Sequence, residues 1–154
     1  METLHELIRR FEGLRLRAYK CPAGVWTCGY GSTGPDIGPA TEWTIETAEF
    51  RMRQDAARVV AQAVKLSPIL ASYPFACAAV ADFIYNLGSG RYKASTLKRR
   101  IDGHDWQGAA AELPKWVWGG GKKLPGLVIR REVEAQLILG GSAFAEQIRL
   151  KRAA

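Results

Sequence analysis

The chain has 154 residues, of which 47% are hydrophobic and 24% charged, and this length and composition fit a single globular domain with its own core. No hydrophobic run approaches the roughly 20 residues that a membrane helix requires, and no N-terminal signal-peptide pattern is present. We therefore expect a protein without a membrane span that is made and held in the cytoplasm. The formal net charge of +7 favours an anionic partner, with nucleic acid and anionic cell-wall polymer as the two candidates.

The first predicted helix runs from about Thr3 to Phe11. Thr3 and Glu6 form a T-x-x-E pattern that is typical of an N-terminal capping box. The hydrophobic residues of this segment fall on one helical stripe, and His5 lies off that stripe. We therefore predict that His5 is a surface residue.

Two extended runs follow, Leu14 to Cys21 and Val25 to Tyr30, joined by the turn-forming residues 22–24. Side chains alternate between the two faces of a strand, so a hairpin can direct Cys21 and Thr27 towards the same side. Glu12, at the end of the first helix, can meet them there. A carboxyl group, a thiol and a hydroxyl brought together in this way would form a catalytic constellation.

The remainder of the chain is predicted to be mainly helical. Residues 31–39 read as a loop with room for one short strand, and a long helix covers residues 44–66. After that helix we expect further helices and no strands, over residues 68 onward, 74–87, 95–102, 105–113, 125–139, and from Ser142. Trp116 and Trp118 are predicted to be core aromatics.

The chain contains three cysteines, Cys21, Cys28 and Cys77, which is too few for a disulfide framework and favours a reducing compartment. Cys28 and Cys77 have hydrophobic neighbours and are predicted to be buried. A disulfide between Cys21 and Cys28 would need side chains from opposite faces of the hairpin, so we do not expect it. No spacing of cysteine and histidine suits zinc, and we predict neither a metal nor a cofactor.

The spacing of Glu12, eight residues, Cys21, five residues and Thr27 resembles the signature of the phage lysozymes, or endolysins, of glycoside hydrolase family 24. This family includes the T-even and lambdoid phage enzymes. Most members carry aspartate at the middle position, so Cys21 is the rarer variant. The similarity continues through residues 83–97 and 115–132, and in total it covers residues 4 to 140.

The resemblance implies an α+β, mostly helical, lysozyme-like fold in a single domain, residues 1–154. In such a fold a small β-hairpin lobe (14–43) and a larger helical lobe (67–154) are joined by a long helix (44–66). The first helix (3–11) packs on the helical lobe, and the active-site cleft lies between the lobes. The resemblance also implies a monomer that acts on peptidoglycan glycan strands and not on nucleic acid. Such a protein stays in the host cytoplasm until a holin opens the membrane.

The reaction implied by the resemblance is hydrolysis of the β-1,4 bond between N-acetylmuramic acid and N-acetylglucosamine. Glu12 would be the general acid, and Cys21 and Thr27 would position water or stabilise the transition state. Cys21 acting as a nucleophile is the alternative for the thiol. The family also implies residues that bind the substrate, here Tyr30, Tyr85, Asn86 and Thr96. It further implies an arginine that forms an ion pair with Glu12 and orients it, here Arg130 or Arg131.

Simpler interpretations of these residues remain open at this stage. Glu12 can simply pair with an arginine, and Cys21 can be a structural residue at the end of a strand. Thr27 can be present because β-branched residues favour strands. Asn86 can cap a helix that ends near Gly88. Two further classes of function also remain. One is a transglycosylase-like relative that uses a single acid, and the other is a non-catalytic basic module that binds wall polymer or nucleic acid.

Overall fold

The computed structural model describes residues 1–140, and within them the chain is mostly helical with a small antiparallel sheet, as predicted. The chain divides into two compact units, Met1–Arg58 and Val59–Ala154, which are described separately. The helix predicted from Ser142 lies outside the described residues. Across residues 1–140, no helix combines the length and the hydrophobicity needed to cross a membrane.

The first unit contains one helix, a three-stranded sheet and the beginning of a long helix. The sheet has the order β1-β2-β3, and both of its strand pairs are antiparallel. The predicted hairpin, the short third strand and the long helix are therefore confirmed. The elements are α1 (Glu2–Glu12), β1 (Arg15–Lys20), β2 (Trp26–Gly29), β3 (Ser32–Thr33) and α2 (Ile45–Leu66), which extends beyond the boundary of the unit.

Two predictions about α1 are wrong. The helix begins at Glu2 with Met1 as its N-cap and no capping hydrogen bond from a side chain, so Thr3 lies inside the helix and forms no capping box. His5 is not a surface residue, since only 5% of it is exposed. The buried arc of α1 is wider than its hydrophobic stripe because it includes His5, and the half-buried Arg9 one turn further on donates two hydrogen bonds to Glu49 at 2.9 and 2.6 Å.

The second unit is built around α3 (Pro74–Leu87), whose residues 76–84 are all buried. Proline begins α3 and α7, as expected from its fixed φ. Ser95 and Asp105 cap the helices that follow them by accepting the backbone N–H groups of Lys98 (3.0 Å) and Gly108 (2.9 Å). The helices are α3 (Pro74–Leu87), α4 (Ser89–Lys93), α5 (Thr96–Asp102), α6 (Trp106–Glu112) and α7 (Pro125–Ile138), with 3-10 turns at Pro68–Ser72 and Leu113–Lys115.

The expectation of helices alone after residue 66 is wrong at one place. Residues 118–123 form a short antiparallel hairpin, β4 (Trp118–Gly119) and β5 (Lys122–Lys123). Gly120 and Gly121 form its turn with φ of 56° and 75°, a pair of positive values that suits a two-residue hairpin loop. Trp118 lies in this hairpin and is 63% exposed, so its prediction as a core aromatic is also wrong. Trp116 instead packs edge-on against Phe83, with ring centroids 5.2 Å apart.

Candidate active site

The β1–β2 hairpin places Cys21 beside Thr27. Cys21 follows the last residue of β1, and its backbone N–H donates to the carbonyl of Val25 at 3.0 Å, which closes the turn. Thr27 lies in β2 opposite Tyr19 and is buried. The sequence therefore folds locally so that a half-buried thiol lies next to a buried hydroxyl.

The surroundings of the Cys21 sulfur favour its thiolate form. A hydrogen bond from the backbone of Val25 makes the largest contribution to lowering the pKa of the thiol, and hydrogen bonds from the backbone of Ala23 and the hydroxyl of Thr27 add to it. Partial burial acts in the opposite direction but is outweighed. Donors directed at a sulfur stabilise its negative charge, so the hairpin holds a thiol that ionises more readily than a free cysteine.

The hydroxyl of Thr27 has two partners. Its oxygen lies 3.1 Å from the carbonyl oxygen of Val25, to which it donates, and it also contacts the sulfur of Cys21. One hydroxyl proton serves one acceptor at a time. A neutral thiol leaves the proton with the Val25 carbonyl, whereas a thiolate attracts it. The orientation of the Thr27 hydroxyl is thus coupled to the ionisation of Cys21.

Glu12 is the last residue of α1 and is half-buried. Its carboxylate lies against the backbone of Gly31, since a Cβ atom built on Gly31 would lie 3.1 Å from Oε2 of Glu12. Gly31 has φ of 81°, a conformation that other residues rarely adopt. The absence of a side chain at Gly31 therefore leaves room for the Glu12 carboxylate.

Tyr30 is buried and faces α2. Its hydroxyl donates to Oε1 of Glu49 at 2.9 Å, and the same carboxylate accepts both hydrogen bonds from Arg9. Hydrogen bonding from Arg9, with a further contribution from Tyr30, lowers the pKa of Glu49 from 4.5 to about 2. Through this network, Arg9 of α1 and Tyr30 are both hydrogen-bonded to Glu49 of α2. Contact of Tyr30 with substrate stays a prediction.

The other predicted substrate-binding residues lie in the second unit and are half-buried. Asn86 accepts a hydrogen bond from Nη2 of Arg131 at 2.9 Å, and Thr96 accepts one from Nη2 of Arg99 at 2.7 Å. Tyr85 lies next to Asn86 in the last turn of α3. Asn86 does not cap this helix, because the C-cap is Gly88. Substrate contact by Tyr85, Asn86 and Thr96 stays a prediction.

Arg130 and Arg131 belong to a buried charged cluster that sequence reasoning missed. Arg130 donates two hydrogen bonds of 2.8 Å to Asp82, and Arg131 lies 3.0 Å from Glu134 and over the ring of Phe83. Burial alone would raise the pKa of Asp82, but Arg130 holds it below its usual range. Burial, with the charge of Asp82, raises the pKa of Glu134 well above its usual range.

The sequence did contain a signal for this cluster. Asp82 interrupts an otherwise hydrophobic helix, and a buried acid requires a cationic partner. The pairing of one of these arginines with the predicted catalytic acid stays a prediction.

The three cysteines are free, and Cys28 and Cys77 are buried, as predicted. The thiol of Cys28 is directed towards the carbonyl oxygen of Leu16, which lies 3.4 Å from the sulfur. In the part of the chain that the structure describes, no three histidine, cysteine, aspartate or glutamate side chains are arranged to hold a metal ion.

Comparison with known proteins gives one consistent result. The family model described as "Phage lysozyme" matches residues 9–134. The SAR-endolysin of Bacteriophage PS34 is 37% identical over 132 residues, which cover 84% of this chain and 77% of that protein. The endolysin of Acyrthosiphon pisum secondary endosymbiont phage 1 is 40% identical over 139 residues, which cover 85% of this chain and 91% of that protein.

Solved structures agree with these sequence relatives. The muramidase domain of SpmX from Asticaccaulis excentricus superposes with a TM-score of 0.80 at 29% identity, covering 90% of this chain and 96% of that domain. The endolysin from Escherichia coli O157:H7 phage FAHEc1 has a TM-score of 0.76 at 29% identity, and the match covers 90% of this chain and 92% of that endolysin. The similarity thus extends over most of the chain in both sequence and fold.

Proposed function

The chain belongs to the phage lysozyme family and is a glycoside hydrolase of the muramidase kind that acts on peptidoglycan, and on that premise we propose that Glu12, Cys21 and Thr27 carry its reaction. The bond cleaved is the β-1,4 bond between N-acetylmuramic acid and N-acetylglucosamine. The observation that most supports this assignment is that the β1–β2 turn, closed by the hydrogen bond from Cys21 to Val25, places Cys21 beside Thr27.

Glu12 is the general acid. Cleavage of a glycosidic bond requires a proton on the leaving oxygen while the sugar develops positive charge. A half-buried carboxyl group at the end of α1, held against Gly31, has the chemistry for that proton transfer. Water then adds to the anomeric carbon, and a second group must hold this water and stabilise the charge.

Cys21 and Thr27 supply that second function. As a thiolate, Cys21 carries the negative charge that aspartate would carry, and the Thr27 hydroxyl holds the water beside it. Direct attack by the sulfur on the anomeric carbon is the alternative role, since a lowered pKa raises the fraction of nucleophilic thiolate together with its negative charge. We assign Cys21 to charge stabilisation and water positioning.

The remaining predicted residues bind the glycan and fix the geometry. Asn86 is held by Arg131, which is itself restrained by Glu134, so the amide is presented in a fixed orientation. We propose that Tyr30, Tyr85, Asn86 and Thr96 contact the sugars, and that Arg130 or Arg131 orients Glu12. The buried ion pair of Arg130 with Asp82 supports a positioning role for this cluster.

The products of digested peptidoglycan test the proposed reaction. We expect muropeptides that end in reducing N-acetylmuramic acid, with one reducing end for each bond broken. Products that end in 1,6-anhydro-N-acetylmuramic acid would identify a transglycosylase instead, the alternative favoured by the single carboxyl group of the Glu12–Cys21–Thr27 set. Binding to walls without any soluble product would identify a non-catalytic module.

Access to the wall and the oligomeric state complete the proposal. We propose that the enzyme is a monomer held in the host cytoplasm until a holin opens the membrane, as the resemblance to the T-even and lambdoid enzymes implies. Expression of this chain in Escherichia coli should then cause lysis only when a holin is co-expressed or chloroform is added. Lysis without either treatment would contradict it, and light scattering would test the monomer.

A further inference from the structure

The second unit contains a buried carboxyl group that accepts no hydrogen bond. Glu134 lies in α7 and is 0% exposed, and within the described residues no donor is hydrogen-bonded to its Oε1 or Oε2. An ionised carboxylate in this position would lose its hydration without replacing it, and such a group is costly in a protein interior. The side chain therefore requires either a full ion pair or a proton of its own.

The neighbouring arginine does not supply a full ion pair. Nη2 of Arg131 lies 3.0 Å from Oε1 of Glu134, but this contact lacks the geometry of a hydrogen bond. The same nitrogen donates a hydrogen bond of 2.9 Å to Oδ1 of Asn86. A buried arginine beside an ionised glutamate should direct its N–H groups at the carboxylate, because charge-assisted hydrogen bonds are the stronger ones. Donation to the neutral amide instead favours an uncharged Glu134.

The other charges of this cluster also favour a proton on Glu134. The carboxylate of Asp82 accepts two hydrogen bonds of 2.8 Å from Arg130, which stabilise its negative charge. Two carboxylates buried together repel each other, so one of them keeps its proton. Burial, with the charge of Asp82, raises the pKa of Glu134, whereas Arg130 holds the pKa of Asp82 low. The proton therefore belongs to Glu134, and Asp82 is the acceptor beside it.

We propose that Glu134 is a positioning residue for the glycan. As an uncharged carboxylic acid it donates its proton to Asp82, and Arg131 is left to hold the amide of Asn86. The inference rests on the proposed function, in which Asn86 contacts the sugars. Because Asp82 is shared between Arg130 and the proton of Glu134, its charge does not draw Arg131 away from the amide.

This arrangement fixes the orientation of the Asn86 amide. Its Oδ1 accepts the hydrogen bond from Arg131, so its NH2 group is the part that remains to donate. An NH2 group held in this way suits the oxygen acceptors of a sugar. Glu134 thus acts on glycan binding and not on the proton transfer assigned to Glu12.

Infrared spectroscopy of the folded protein at pH 7 tests the protonation of Glu134. The C=O stretch of a protonated carboxyl group is separate from the bands of carboxylates and amides. We expect this band in the parent and its loss in Glu134→Gln. Glu132→Gln is the matched control, because it removes an exposed carboxyl group from the same helix and should keep the band. Absence of the band from the parent, or its survival in Glu134→Gln, would overturn the proposal.

Unfolding in urea provides a second test of the charge. Glu134→Gln replaces a neutral acid by a neutral amide of the same size that can also donate to Asp82, so the midpoint should change by less than about 0.5 M. If Glu134 were the ionised partner of Arg131, this substitution would leave a buried arginine uncompensated and lower the midpoint by about 1 M or more. A decrease of that size would contradict the proposal.

The effect on glycan binding is measured as turbidity loss over a series of wall concentrations. Glu134→Met has a similar volume but no proton to donate, so the half-saturating wall concentration should rise about fivefold, the equivalent of one hydrogen bond. The maximal rate should change less than about twofold. Glu134→Gln should keep both quantities within about twofold of the parent, since its amide replaces the donor.

A double-mutant comparison tests whether Glu134 acts through Asn86. Asn86→Ala removes the amide, so adding Glu134→Met should not raise the half-saturating wall concentration further. The same fivefold increase in the Asn86→Ala background, or an equal loss of maximal rate, would show a purely structural role and overturn the proposal.

Failure of the proposed function is seen separately. Parent-like clearing of walls by Glu12→Gln would contradict the catalytic assignment, whereas the infrared and unfolding comparisons of Glu134 do not depend on activity.

Discussion

At the scale of single residues, the proposed site places the thiol of Cys21 where the family resemblance implies an aspartate. A cysteine with an ordinary pKa would be mostly neutral at pH 7 and would contribute little charge. The hydrogen bonds from Val25, Ala23 and Thr27 lower the pKa of Cys21 and so increase the fraction of the thiol that is ionised. We therefore propose that Cys21 acts through its charge more than through its nucleophilicity.

Substitutions of Cys21 test this directly. Cys21→Asp supplies the same charge and should clear wall suspensions at a rate within about threefold of the parent, whereas Cys21→Ser cannot ionise and should lose about a hundredfold. The activity of the parent should rise with pH as the thiol ionises, and the activity of Cys21→Asp should not follow that rise. Equal rates for Cys21→Asp and Cys21→Ser would exclude a charge-based role.

His5 provides a second residue-scale prediction. Both ring nitrogens are buried without a hydrogen-bond partner, and burial, with the charge of Arg53, lowers the pKa of His5. Other charged groups near the ring, Glu2, Arg9 and the N-terminal amine, have smaller effects. A histidine whose pKa is lower in the folded than in the unfolded state destabilises the fold increasingly as pH falls below its ordinary pKa of 6.5, and it has no such effect above that pH.

We therefore expect His5→Leu to flatten the loss of stability below pH 6.5. The variant also removes two unsatisfied buried polar atoms, so it should be more stable than the parent by about 1 kcal/mol at pH 5. Urea unfolding at pH 5 and pH 8 measures this. A stability difference between the two proteins that is the same at both pH values would contradict the titration argument.

At the scale of elements, local signals predicted much of the fold. Ser95 and Asp105 cap their helices and prolines begin two more, since capping and fixed φ act within a few residues of the chain. The errors lie where distant contacts decide. Sequence alone could not show that Arg9 would pair with Glu49 on the side of α1 where His5 is buried, and the 118–123 hairpin depends on two glycines between the predicted helices 105–113 and 125–139.

In the candidate site, too, the local arrangement could be predicted from the sequence and the long-range pairing could not. Cys21 and Thr27 meet because strand alternation across a short turn fixes their relative position. The pairing of Asp82 with Arg130 was missed, because the two residues lie 48 positions apart, beyond the range of any periodic pattern.

The hydrogen bonds from Arg9 and Tyr30 to Glu49 give a prediction for the elements of the first unit. Glu49→Gln weakens the hydrogen bonds that hold Arg9 of α1 and Tyr30 to α2. It should lower the free energy of unfolding by about 1.5–3 kcal/mol at pH 7. The pKa of Glu49 is lowered from 4.5 to about 2, so its contribution is complete above pH 4.5 and declines as pH falls towards 2. Urea unfolding from pH 7 to pH 3 should show the difference between parent and variant shrinking. A constant difference would contradict it.

At the scale of the whole molecule, the net charge of +7 should assist binding to an anionic wall. Long-range attraction is screened by salt, so the wall concentration that gives half-maximal rate should increase several-fold between about 0.05 and 0.5 M NaCl. The maximal rate at saturating wall should change much less. Turbidity assays across this salt range measure both, and a half-saturating concentration that is independent of salt would show that charge does not guide binding.

The measurement that bears most directly on the account is the rate at which Glu12→Gln clears a suspension of purified walls. The substitution keeps the size of the side chain and removes its acidic proton. We expect the rate to fall by about 10²- to 10⁴-fold, the usual contribution of a general acid, while sedimentation with walls is retained. If Glu12→Gln clears walls as fast as the parent, Glu12 is not the acid and the catalytic assignment is wrong.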